Sequence, residues 1–445
     1  MKKTVLTPFL FFVFLAAFGQ NYYMTKPEGF GAAATGGGNA TPITVSTYDE
    51  FKAAIKLTTP QVILVSGTIT CSYTSETLTN KTIIGLKGAR LVNTNQTTTG
   101  SGILYLKPGS NNVIIRNLIF EGPGAYDVDG RDNLTSECTN LWVDHCEFQD
   151  GTDGNFDNKG AGDNTTISWC KFTYLKPAKA GGPGGADDHR FTNLVGSSKS
   201  DFPADGHYSI TFQNCYWAEG CKERMPRARN AELHLLNCYY NTTVSGSLAI
   251  GLGGGNNNTT CYVENTNFAN IASVYRNYNS TDGGTVGIIF DGCMNGSANV
   301  GSVSKPSYAY TVLPVADVAA AVANGNCGAG ATLNVSSTGV MSSGCTVLGT
   351  KTEKINNLKL YPTFVDANLY IDLTGEIEGE TTIEIFSTLG TKVFSTSKNI
   401  STSDKITLNL STLPKGLYVC NLKIGSTSST WKFIKKVSFS KSISF

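Results

Sequence analysis

Two oppositely charged clusters stand out in an otherwise charge-poor chain. Asp153 and Asp157 lie in DGTDGNFD, with Asp129 and Asp132 just upstream in DVDGRDN. Arg224, Arg227 and Arg229 lie in CKERMPRARN, around Pro226, whose ring restricts the local backbone. Grouped carboxylates suit a hard divalent cation such as calcium, which takes several oxygen ligands in flexible geometry. Guanidinium groups pair with carboxylates through parallel hydrogen bonds. Side by side, the two clusters would outline an enzyme acting on an acidic polymer. Considered alone, an aspartate pair in a glycine-rich loop is also ordinary turn chemistry, so the elements that position it decide.

Composition narrows those elements. The chain has 445 residues, of which 16% are charged, with 48 glycines; such a texture suits many short strands joined by turns. A net charge of +1 excludes a nucleic-acid binder, which needs a broad basic face. The start, MKKTVLTPFLFFVFLAAFGQN, has a lysine pair, an apolar stretch and small residues, and predicts a cleaved secretory signal over residues 1–19. No later apolar run is long enough for a membrane anchor. The 12 cysteines of an exported chain permit disulfides.

One local pattern recurs between residues 110 and 270, an apolar alternation that ends in an aromatic residue. It ends at Phe120, Phe148, Phe172, Trp217, Tyr240 and Phe268, at intervals of 28, 24, 45, 23 and 28 residues. A period of this size without helical periodicity predicts a stacked β coil, each turn adding one strand to a parallel sheet. The long interval is two turns, or one turn with a large loop. Cys146, Cys170, Cys215 and Cys238 fall in one column and read as buried apolar residues rather than disulfides. Asn214 and Asn237 suggest an inward ladder of amides bonded to one another.

The one convincing helix is predicted around Val315 to Ala323. Cys327 and Cys345 flank a Gly/Ser/Thr-rich stretch and are candidates to pair. Residues 20–332 are expected to form the coil, 333–355 a linker, and 356–445 a small separate β-sandwich, with turns at Leu389-Gly390 and Pro414-Lys415-Gly416. The fold class is therefore all-β.

Residues 28 to 330 resemble the family 1 pectate lyases through EGFGAAATGGG at 28–38, LWVDHCEF at 141–148, DGNFDNK at 153–159, LVGSS at 194–198 and RMPRAR at 224–229. The final ninety or so residues resemble the C-terminal sorting domain of the type IX secretion system, through LYP, GLYV and a basic terminal strand. The first resemblance implies a right-handed parallel β-helix that cleaves polygalacturonate by β-elimination with calcium. It implies calcium ligands at Asp153 and Asp157, and at Asp132 with Asp129 as the competing third position.

It also implies Arg224 as the base that removes the C5 proton and Arg229 as a clamp on substrate carboxylate. A free guanidinium has a pKa above about 12, so the base role requires nearby cations. The chain departs from the family where a lysine precedes LVGSS: GGPGGADDHRFTN leaves Arg190 first, or His189, to supply that cation for the substrate. Gly181 to Gly185 is expected to form a mobile rim. Arg227 is expected to pair with Glu219 or Glu223, Asp144 to be structural, and His145 to lie in the core. The sorting resemblance implies a secreted or cell-surface protein handled by the type IX machinery; the protein is expected to be monomeric. The rival readings are a hydrolase on the same architecture, a pectin lyase acting on methylated polymer, and a silent pectin-binding surface protein.

Overall fold

A computed structural model describes residues 23–345, 358–373, 379–387, 392–400, 405–424 and 427–436. The expected signal over residues 1–19 and residues 346–355 of the expected linker lie outside them. The chain divides into two compact units near residue 346.

The first unit is a parallel β-helix made of three parallel sheets. The first sheet has ten strands, from Ile43–Val45 to Val286–Asp291. The second and third have eight each, running from Thr68–Thr70 to Asn267–Asn270 and from Thr74–Glu76 to Ser273–Asn277. One coil visits all three sheets in turn, as Thr139–Asp144, Glu147–Gln149 and Phe156–Asn158 do.

Alternation puts one face of every strand into the coil. Leu141 and Val143 are buried in the central core, while Trp142 packs outside it against Ala34 and Ile114. The repeating aromatics form a continuous inner stack on the second sheet: Phe120 on Phe148 at 4.9 Å, Phe148 on Phe172 at 5.4 Å, then Trp217, Tyr240 and Phe268. Each such contact adds about 0.5–1.5 kcal/mol beyond its burial. Phe172 pairs directly with Trp217, so the long interval is one turn with a large loop. Cys146, Cys170, Cys215 and Cys238 are buried and unpaired, each sulfur near backbone carbonyls.

The asparagine column differs from expectation. Asn117, His145, Trp169, Asn214, Asn237 and Asn265 occupy successive corners with φ between 43° and 56°, a region asparagine tolerates better than most residues. Their side chains do not form an inward amide ladder. Asn117 bonds the backbone of Leu333, and Asn237 and Asn265 that of Leu313. Trp169 packs against Val318, Ala321 and Val322 of the expected helix, Val315–Val322. The column thus fastens the segment after the coil onto its outside. The N-terminal segment covers the same side, where Gly31 donates to Thr166 at 2.9 Å. A side chain at Gly31 would meet the Leu141 carbonyl at 2.5 Å.

A second helix, Tyr48–Ile55, was not expected. Thr47 and Glu50 form a reciprocal capping box at its start, and Phe51, Ala54 and Ile55 join the core. Residues 334–342, expected as linker, form a short hairpin within the first unit, and Cys327 is disulfide-bonded to Cys345.

In the second unit a three-stranded antiparallel sheet and a five-stranded, mostly antiparallel sheet share one apolar core that includes Leu369, Ile371, Ile383, Ile385 and Leu422.

Candidate active site

The third sheet carries the charged clusters. Phe156 and Asn158 turn inward and are buried, so Asp157 between them faces outward. Register sets Thr135 beside Asp157 on one side. On the other side, Val195 pairs with Asn158, and Leu194 with Arg227.

Three aspartates converge here. Asp157 accepts a hydrogen bond from the Leu194 amide at 2.8 Å. Asp132, on the preceding coil, accepts one from Thr135 at 2.8 Å, while its other, buried oxygen has no hydrogen-bond partner among the described residues. Asp153 lies 2.7 Å from Nε2 of His189 and 3.6 Å from Nη1 of Arg224. Gly154 explains how they fit: a Cβ there would sit 2.7 Å from Oδ1 of Asp132 and 3.0 Å from Oδ1 of Asp157. Two carboxylate oxygens therefore converge on the same small space.

The electrostatics follow from burial. Loss of solvent and the neighbouring Asp153 charge push the Asp132 carboxyl up to about 6. Burial and the Asp132 charge push Asp157 well above the usual range. Asp153 is held below its ordinary value: burial works against its charge, but the His189 hydrogen bond and the Arg224 charge outweigh it. Burial likewise disfavours the Arg224 charge, yet Asp153, Asp157 and Asp132 together hold that guanidinium more firmly protonated.

Arg224 has φ 58°, a left-handed conformation uncommon for a long side chain and one that recurs at functional sites. Its carbonyl accepts bonds from the Asn193 amide and the Thr192 hydroxyl. Its guanidinium lies 4.8 Å from the Phe191 ring centroid.

Several expectations change. Asp129 is exposed in a left-handed turn and makes no ion pair with the site among the described residues. Arg190 is taken by Asp188, which accepts from both Nε and Nη2 at 2.7 Å, so His189 and not Arg190 joins the aspartates. Arg227 pairs with Asp282 instead of Glu219 or Glu223, and Arg229 shares that carboxylate at 3.1 Å. The Gly181–Gly185 rim is folded onto Asp127: the Gly184 amide bonds its carbonyl at 3.0 Å and the Ala186 amide its carboxylate at 2.8 Å. Asp127 also stands 3.5 Å from Nδ1 of His189. Asp144 and His145 are buried, with Asp144 tied to Arg116, His145 and Ser168.

Sequence reasoning missed Lys159, whose charge favours ionisation of Asp132 and Asp153. The signal was present: two positions beyond Asp157, it falls on the same face of the chain. Asp127 and Asp282 gave no comparable signal, because Asp127 reaches the site from a loop and Asp282 from the short helix Asn279–Asp282, both remote in sequence from their partners.

For a cation the fit is chemical. The oxygen-only set of Asp132, Asp153 and Asp157, with one orphaned buried oxygen and with the charged forms of Asp132 and Asp157 disfavoured by burial and by a neighbouring carboxylate, suits calcium. Among the described residues no three such side chains alone close into a metal-binding group. Water or substrate oxygens would complete the shell.

Residues 14–332 match the profile of the pectate lyase family, and residues 359–436 that of the secretion system C-terminal sorting domain. The pectate trisaccharide-lyase of Thermotoga sp. (strain RQ2) is 32% identical over 247 residues, covering 50% of this chain and 60% of that protein. Pectate lyase B of Colletotrichum gloeosporioides is 29% identical over 299 residues, covering 66% and 83%. The chain thus spans about 60% of the length of the Thermotoga relatives it matches. Among solved structures, the major allergen from cedar pollen superposes with a TM-score of 0.53 at 19% identity, covering 68% of this chain and 92% of that one. The pectate lyase from Paenibacillus sp. 0602 gives 0.52 at 18%, covering 69% and 96%. At these identities the likeness establishes the shared β-helix.

Proposed function

The chain belongs to the pectate lyase family, and from that membership we propose that it is a secreted lyase cleaving α-1,4-linked polygalacturonate by calcium-assisted β-elimination. The observation that carries this reading is the contact of Arg224 with Asp153 beside the convergent oxygens of Asp132 and Asp157. An acidic group and a basic group at one point suit a substrate that is itself a carboxylate.

Asp132, Asp153 and Asp157 would hold calcium. Bound there, it supplies Lewis-acid neutralisation of the substrate carboxylate next to C5. Arg224 accepts the C5 proton. In elimination the C5–H bond breaks, its electrons form the C4–C5 double bond, and the glycosidic oxygen leaves C4 with the bonding pair. For Arg224 to act as base, the three carboxylates that now hold its proton must have their charge matched by a cation. Arg229 offers its guanidinium to a neighbouring uronate, fixed by Asp282 and by its bond to the Gly196 carbonyl at 2.9 Å. His189, set between Asp127 and Asp153, orients Asp153, and Lys159 adds positive charge on the substrate side. The sorting-domain match supports export by the type IX machinery to the medium or the cell surface.

Mass measurement of the fragments released from polygalacturonate tests the reaction. Elimination gives from each cut one fragment lighter by one water than its hydrolytic counterpart; fragments that all carry that water would make the protein a hydrolase, and no fragments would favour a silent binding protein.

A further inference from the structure

Beyond the reacting centre, the third sheet continues in register. Asn158, Val195, Ala228 and Leu252 pair in succession, and Val195, Ala228 and Leu252 belong to the core. Their preceding neighbours Asp157, Leu194, Arg227 and Gly251 therefore form an outward row, and Gly251 pairs next with Arg276. Four strand spacings separate Asp157 from Arg276, roughly 19 Å along the coil, a span for about five sugar rings.

The cations of this row differ. Arg227 is neutralised by Asp282. Arg276 is exposed and, among the described residues, has no carboxylate partner; its polar contact is with the Tyr278 hydroxyl at 3.4 Å. Between them Gly251 leaves room for the Tyr278 ring and the Arg227 side chain, which a Cβ there would meet at 2.9 Å and 3.0 Å. An unneutralised guanidinium at the end of a row that begins at the reacting centre suits a carboxylate on the same polymer.

We propose that Arg276 forms a distal subsite that binds a uronate carboxylate of the polymer about four rings from the cleavage point, and so makes the protein favour long chains. The proposal rests on the lyase reading above.

The test is kcat/KM on oligogalacturonates of increasing length for the wild type, Arg276→Gln and Arg276→Lys. Trimers should be cut equally well by all three. On chains long enough to reach Arg276, and on polymer, Arg276→Gln should lose about 10-fold, mostly in KM, with Arg276→Lys between the two. A loss that is absent, or equal at every length, overturns the subsite. Should the wild type release no unsaturated product, the lyase reading fails by itself. Retardation in gels containing polygalacturonate then decides the subsite: weaker retardation of Arg276→Gln supports it, and unchanged retardation overturns it.

Discussion

Arg224 sits where an ordinary side chain would avoid the backbone conformation, held by Thr192 and Asn193 and facing three carboxylates. Arg224→Lys keeps the charge beside Asp153 and changes the proton acceptor. We expect turnover to fall roughly 100- to 10,000-fold with little shift in thermal unfolding; retained turnover would remove Arg224 as the base. Asp157→Asn relieves repulsion with Asp132, so the chelated protein should unfold no earlier than wild type. It should, however, lose calcium-induced stabilisation, which for an intact site is about 2.7 kcal/mol at 100 times Kd. Calcium titrations followed by thermal unfolding check both halves, and an unchanged calcium response would reject Asp157 as a ligand. The clusters themselves were legible in the sequence because their residues lie close together in short motifs. That His189 rather than Arg190 contacts Asp153 was not, because it depends on Asp188 capturing Arg190 and on Asp127 arriving from another coil.

At the scale of elements, the coil was legible because inward aromatics recur once per turn and stack in register. The corners were misread: sequence marks an asparagine column but not that its amides bond a segment 48 to 216 residues downstream. The helix Tyr48–Ile55 announced itself through Thr47 and Glu50 and was overlooked against the strand-rich background. That downstream segment carries a pH-dependent contact. His234 is buried, with Nδ1 2.7 Å from the Tyr308 hydroxyl and Nε2 3.5 Å from Glu264. Tyr262, Tyr310 and Lys305 also face this group. Burial lowers the imidazole to about 4, against the pull of Glu264. The folded state thus binds fewer protons than the unfolded state. Stability from this group is complete above about pH 6.5 and is lost as pH falls through 4, by up to about 3 kcal/mol. Unfolding free energy measured across that window should slope less in His234→Gln; an identical slope would reject the assignment.

The whole molecule divides the work between two units, each with its own core. Deleting residues after 350 should leave the purified β-helix active on polygalacturonate but prevent its export from the native host; normal export of the truncated chain would refute the sorting role. The division was legible from the change of strand texture near residue 356. Its exact place was not, because the hairpin at 334–342 and the Cys327–Cys345 disulfide draw the first part of the expected linker into the first unit. One experiment bears most directly on the union of carboxylates, arginine and acidic polymer: near-ultraviolet absorbance of unsaturated uronide as the purified protein acts on polygalacturonate, before chelation, after chelation and after calcium is restored. Absorbance should rise, stop and resume. Chain cleavage without absorbance, or absorbance that continues in chelator, would contradict the account.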